Sequence, residues 1–126
     1  MKPAIGLKIL VVEDEYLIRH MATDALTKAG YQVIEAATGE EAMDECLQAA
    51  PDVLFTDIRL PGQINGWDIA EDCRDSNPDI PVIYATAHSH IDPRPVPGSV
   101  WLQKPYHPHQ IVDVVRTLTQ GPSQRA

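Results

Sequence analysis

The chain has 126 residues, 44% of them hydrophobic, which fits one domain with a real buried core. Eighteen acidic side chains against ten lysines and arginines give a formal charge of −8. The basic residues are scattered, which argues against direct binding to nucleic acid or to an anionic membrane and leaves a protein partner as the expectation. No run of about 18 apolar residues offers a membrane span, and MKPAIGLKILVVEDE lacks the long apolar region of an export signal, so a cytoplasmic protein is expected.

Residues 8–12, KILVV, form a short continuous apolar run, the pattern of a strand buried on both faces, and Glu13, Asp14 and Glu15 follow at once. Leu17, Ile18, Met21, Ala22, Ala25, Leu26 and Ala29 then recur at helical spacing, and Gly30 closes that helix. Residues 31–36 read as a second strand. Thr38 and Glu41 form a capping box for a helix reaching about Gln48. Residues 52–56, DVLFT, give a third strand that delivers Asp57 at its carboxyl end. The loop RLPGQING leads to a third helix over Trp67–Asp75, and residues 81–86, PVIYAT, make the fourth strand.

The next stretch, HSHIDPRPVPGSV, carries Pro93, Pro95 and Pro97, and alternate prolines favour an extended path over a helix. Residues 100–102 form a fifth strand, and Pro108 opens a last helix with Ile111, Val114, Val115 and Leu118 on one face. The polar ending QGPSQRA reads as a frayed tail with no output domain attached. Cys46 and Cys73 are far apart and lack metal-ligand spacing, so buried or free thiols are expected rather than a disulfide.

Strands alternating with helices predict an open, doubly wound five-stranded parallel α/β sheet, with the site beyond the carboxyl ends of the strands. Glu13 and Asp14 after the first strand, Asp57 after the third, Thr86 after the fourth and Lys104 after the fifth would converge there. Clustered carboxylates repel, and a hard divalent cation relieves them. Lys104, the Thr86 hydroxyl and the Ala87 backbone N–H outline a phosphate-sized pocket around Asp57, and a carboxylate so placed is a nucleophile toward phosphorus.

Together VVEDE, FTDIRLPG, YATA and WLQKPY, in this order at successive strand ends, resemble the receiver domain of two-component response regulators over about residues 7–120, with 121–126 as tail. The resemblance implies the flavodoxin-like strand order 2-1-3-4-5. It implies Asp57 as phosphoacceptor, Glu13, Asp14, Asp57 and the backbone carbonyl of Arg59 as ligands of Mg²⁺ or Mn²⁺, and Lys104 as the phosphoryl-holding group before a cis Lys104–Pro105 bond. Thr86 and Trp101 would be the switch pair, and Arg59 and His88 stand where the phosphate lifetime is tuned. The donor would be a sensor histidine kinase or histidine phosphotransfer protein, and the readout a downstream protein target or a homodimer, with no nucleic acid and no membrane involved.

Plainer readings stand beside these. Glu15 reads as a first-turn helix acid, Trp101 equally as a core aromatic, Tyr106 as packing, and the histidines at 88, 90, 107 and 109 as exposed polar residues. The expected function is a stand-alone phosphorelay intermediate or phosphorylation-dependent binding switch, not an enzyme beyond its own phosphorylation and dephosphorylation. The alternatives are an unphosphorylated binding module and an aspartyl-phosphate hydrolase, the latter disfavoured because Arg59 occupies the place of a second acid. The crossover between the fourth and fifth strands departs from the family, so its helix, the family's fourth, is expected to be absent or reduced to about one turn.

Overall fold

Strands that are apolar on both faces must lie in a sheet covered on both sides, and helices must alternate with them to provide that cover. A computed structural model describes residues 6–87 and 93–120. In chain order they form β1 (Lys8–Val12), α1 (Tyr16–Lys28), β2 (Gln32–Ala36), α2 (Gly39–Gln48), β3 (Val53–Asp57), α3 (Gly66–Ser76), β4 (Val82–Thr86), β5 (Val100–Gln103) and α4 (Pro108–Gln120). The strands are all parallel in the order β2-β1-β3-β4-β5, the doubly wound, flavodoxin-like arrangement expected.

Successive strand residues point to opposite faces, so the sheet divides the core in two. Leu10, Val12, Leu54, Val82 and Tyr84 face α2 and α3, packing on Ala42, Trp67, Ile69 and Ala70. Ile9, Val11, Val53, Phe55, Ile83 and Ala85 face α1 and α4, where Leu26, Ile111 and Val115 meet them. Among the described residues, no helix is long and apolar enough to cross a membrane.

Helix ends follow local chemistry. Gly30, with φ of 103°, ends α1: its N–H donates to the Thr27 carbonyl and the Tyr31 N–H to that of Leu26. At α2 the Thr38 hydroxyl accepts from the Glu41 N–H at 3.2 Å, but the Glu41 carboxylate accepts from Ala37 rather than from Thr38, at 2.8 Å. A full reciprocal box appears instead at α3, between Asn65 and Asp68, with both bonds at 3.0 Å.

The cysteines correct the sequence reading. Both are buried, as expected, yet Cys46 on α2 and Cys73 on α3 are joined to each other, with Cα atoms 5.7 Å apart. The cause is topological: α2 and α3 cover the same face of the sheet and pack side by side. Twenty-seven residues of sequence separation conceal that proximity.

Between β4 and β5, residues 88–92 lie outside the described residues, and 93–99 are non-helical. The fourth helix in chain order is present, but it follows β5. Three anchors hold residues 93–99 against the sheet and α3. Val96 is buried in the α2/α3 core, its N–H donates to the Tyr84 hydroxyl at 3.1 Å, and Arg94 pairs with Asp68 at 2.7 Å and Glu71 at 3.3 Å on α3.

The two polar anchors differ in strength. Tyr84→Phe leaves the buried Val96 N–H without its acceptor and is expected to cost about 1–3 kcal/mol. Arg94→Ala removes only exposed ion pairs and should cost below about 1 kcal/mol. Urea unfolding of the two variants tests this ranking; equal losses would show that the hydroxyl bond does not anchor the segment.

Candidate functional site

The acidic end of β1 is fixed by backbone first. The Glu13 N–H donates to the Ala36 carbonyl at 3.1 Å, extending the β1–β2 ladder by one bond. Arg19, on α1, reaches back and donates through Nη1 to the Glu13 carbonyl at 2.7 Å while its Nε donates to Glu35 at 2.8 Å. The Glu13 side chain is therefore held inward, 3% exposed, and its Oε2 accepts from the Glu15 N–H at 3.0 Å. Asp14 is exposed beside it.

Asp57 ends β3, and the loop after it is gripped closely. Gly66, the first residue of α3, donates its N–H to the Ile58 carbonyl at 2.8 Å, and a Cβ there would overlap the Asp57 carbonyl oxygen. Only glycine lets the helix begin so near the strand end, which accounts for Gly66 beneath the Pro-Gly loop.

Lys104 joins these parts. Its backbone N–H donates to the Thr86 carbonyl at 2.8 Å, continuing the β4–β5 pairing. The Lys104–Pro105 bond is cis, as the resemblance implies. The ammonium donates to Glu13 Oε1 at 2.7 Å and to Asp57 Oδ2 at 3.0 Å.

The structure thus gathers Glu13, Asp14, Asp57 and Lys104, with carboxylate oxygens of the three acids all within 4.8 Å of one another. Thr86 is half-buried at the end of β4, and Ala87 lines a cavity of about 470 Å³ with Lys104, Pro105 and Tyr106. Arg59 lies exposed in the loop, two residues beyond Asp57, and His88 lies outside the described residues. Trp101 stands apart from the acids. It is 45% exposed, with its ring 5.4 Å from that of Trp67 and 5.7 Å from that of Tyr84. Arg19 is the positioning group the sequence did not reveal; one basic residue a turn beyond the acids was the only signal.

Charge is balanced unevenly here. Burial raises the Asp57 carboxyl above its ordinary 3.8; the hydrogen bond and charge of Lys104 oppose that rise, and Asp14 adds to it. Burial likewise raises Glu13 above 4.5, against the hydrogen bonds from Lys104 and Glu15 and with the Asp57 charge in support. For Lys104, burial favours the neutral amine, but hydrogen bonds to Glu13 and Asp57 outweigh it and hold the ammonium charged. Tyr106 is pushed up to about 12, by burial first and then by the Glu13 charge. Three acids facing one ammonium leave excess negative charge on hard oxygen donors, so the pocket suits a divalent metal ion.

Because folded Asp57 keeps its proton to higher pH than the unfolded chain, its contribution to stability is fully present below about pH 3.8 and is lost as pH rises through its raised folded value. Glu13 acts in the same sense from 4.5 upward. Asp57→Asn is therefore expected to raise the urea midpoint at about pH 7, with the gain shrinking on acidification toward about pH 4 and narrowing when Mg²⁺ is added to the parent. A variant less stable than the parent at neutral pH would show that the Lys104 bridge outweighs burial.

Comparison with known proteins agrees with this geometry. The model of the response regulator receiver domain matches residues 9–116. Chemotaxis protein CheY of Thermotoga maritima is 28% identical over 121 residues, 92% of this chain and 100% of that protein. Sporulation initiation phosphotransferase F of Bacillus subtilis is 35% identical over 85 residues, 68% of each chain. The chain spans about half, 48%, of another relative, the probable transcriptional regulator ycf27 of Guillardia theta. The crystal structure of a response regulator receiver protein from Sinorhizobium medicae superposes with a TM-score of 0.87 at 29% identity, covering 92% of this chain and 96% of that one. With the strand order, the acidic pocket and a match that runs from β1 into α4, the chain belongs to the response regulator receiver domain family.

Proposed function

We propose that the chain accepts a phosphoryl group on Asp57 from a phosphohistidine of a sensor histidine kinase or histidine phosphotransfer protein. The observation that carries this reading is the Lys104 ammonium, held by Glu13 and Asp57 at the ends of three strands. In the transfer, an Asp57 carboxylate oxygen forms the new P–O bond while the P–N bond breaks. The imidazole leaves with the bonding pair and takes up a proton. Lys104 neutralises the phosphoryl oxygens, and the Thr86 hydroxyl and Ala87 N–H donate to them. Asp14, Asp57, Glu13 and the Arg59 carbonyl would hold Mg²⁺ or Mn²⁺, which when bound supplies further neutralisation of the transferring group. Arg19 positions the acidic turn through the Glu13 carbonyl.

The donor approaches across α1. Tyr16, Leu17 and Met21 are large apolar side chains left exposed there, and the cavity lined by Ile18 and Met21 shares Lys104 with the pocket. A protein donor that buries these groups would place its phosphohistidine at Asp57. The name of the Bacillus relative, a phosphotransferase, supports the relay form of this reading. Arg59 and His88 tune how long the acyl phosphate persists, and Thr86 with Trp101 passes the change to a protein target or a second copy. The chain catalyses its own phosphorylation and dephosphorylation and is no rapid hydrolase of small phosphates, since Arg59 stands where a hydrolase keeps its second acid.

Incubation with Mg²⁺ and acetyl phosphate should add one phosphoryl group, about 80 Da by intact mass, and chelation of the metal should abolish the gain. Asp57→Asn should remove labelling, and Lys104→Met should slow it about 100-fold. Unmodified protein under these conditions points to a constitutive binding module, and continuous phosphate release points to a hydrolase.

A further inference from the structure

Cys46 and Cys73, the only cysteines of the chain, take no part in the acidic pocket. Their Cα atoms are 5.7 Å apart, within the span a disulfide bridges without moving backbone, so the same helix positions suit both the bonded pair and the two thiols. Both side chains are screened from bulk water, yet both line a cavity of about 280 Å³ between the C-terminal parts of α2 and α3. Leu47, Ala50, Pro51, Ser76, Asn77 and Ile80 complete its wall. The pair is therefore shielded from large reagents and reachable by small ones.

The two helices that carry the cysteines also hold the loop leaving Asp57. Gly39, at the start of α2, touches Ile64 of that loop so closely that an added Cβ would lie 2.5 Å from the isoleucine side chain. Gly66, at the start of α3, lies against the Asp57 carbonyl. A covalent bond between the far ends of these helices restrains the spacing that their near ends impose on residues 58–65.

We propose that Cys46 and Cys73 are a reversible redox modification site. A two-electron oxidant of the peroxide class closes them to a disulfide, small thiols reopen them, and the closed form slows phosphoryl transfer at Asp57. In the oxidation, one cysteine sulfur attacks a peroxide oxygen, the O–O bond breaks, and a sulfenic acid and one water form. The second sulfur then displaces the sulfenic oxygen as a second water, so two thiols and one peroxide yield one disulfide and two waters. Reduction transfers two electrons and two protons from two small thiols, which leave as their own disulfide. The rate effect rests on phosphorylation at Asp57; the thiol chemistry does not.

The test uses the full chain, reduced with dithiothreitol, desalted and exposed to hydrogen peroxide. The expected result is a mass loss of about 2 Da with disappearance of both alkylatable thiols, reversed by dithiothreitol without denaturant. Cys46→Ala and Cys73→Ala should each abolish the loss. Oxygen addition without closure, or a bond that opens only after unfolding in urea, overturns the redox site. Labelling by Mg²⁺ and acetyl phosphate should then be slower by about threefold in the closed form, and insensitive to peroxide in the double alanine variant. Equal rates in the two forms overturn the coupling. Failure of both forms to label overturns phosphorylation at Asp57 and the coupling with it, while the mass measurement still decides the thiol chemistry.

Discussion

The Lys104 ammonium lies between carboxylates from two other strands, 2.7 Å from Glu13 and 3.0 Å from Asp57, and it can reach both only if β1, β3 and β5 end at the same edge of the sheet. An all-parallel sheet meets this condition, because every strand then presents its carboxyl end on one side. The arrangement is costly in charge: burial raises both carboxyls, and one cation cannot neutralise three acids. The surrounding structure holds it nonetheless. Arg19 secures the first acidic turn, Gly66 lets α3 abut the second, and the Thr86 carbonyl fixes the lysine backbone.

Much of this was legible in the residues. The apolar runs ILVV and VLFT are buried in the structure, and the strand ends read from such runs were expected to converge, as the 3.0 Å contact between Asp57 and Lys104 shows they do. Periodicity and turn chemistry carry that information because they act over a few residues. Contacts between distant segments were not legible. Nothing in the sequence couples Cys46 to Cys73, Arg94 to Asp68, or the Val96 N–H to the Tyr84 hydroxyl, since each depends on how two elements lie on the sheet. The Asn65 and Asp68 cap escaped for a different reason: the helix begins one residue earlier than its first apolar residue, Trp67, implies.

Residues 93–99 show how the described part of a crossover is anchored without helical structure. In this described part Val96 fills the α2/α3 core at one point, and the ring of Trp101 is left partly in solvent. The segment is held mainly through its bond to Tyr84, two residues before Thr86 on the same strand, and through the pairing of Arg94 with α3. A displacement at the end of β4 therefore has a short mechanical route to this surface, through one strand and one hydrogen bond.

Trp67, Tyr84 and Trp101 meet as a cluster, with Trp67 and Tyr84 ring centroids 4.7 Å apart. These are the only two tryptophans in the chain, and both lie on the α2/α3 side of the sheet. Indole emission therefore samples a single neighbourhood, where a buried ring touches a half-exposed one. The opposite layer, built on α1 and α4, holds Tyr31 and Tyr106 but no indole, so emission excited selectively at tryptophan reports the surface beside β5.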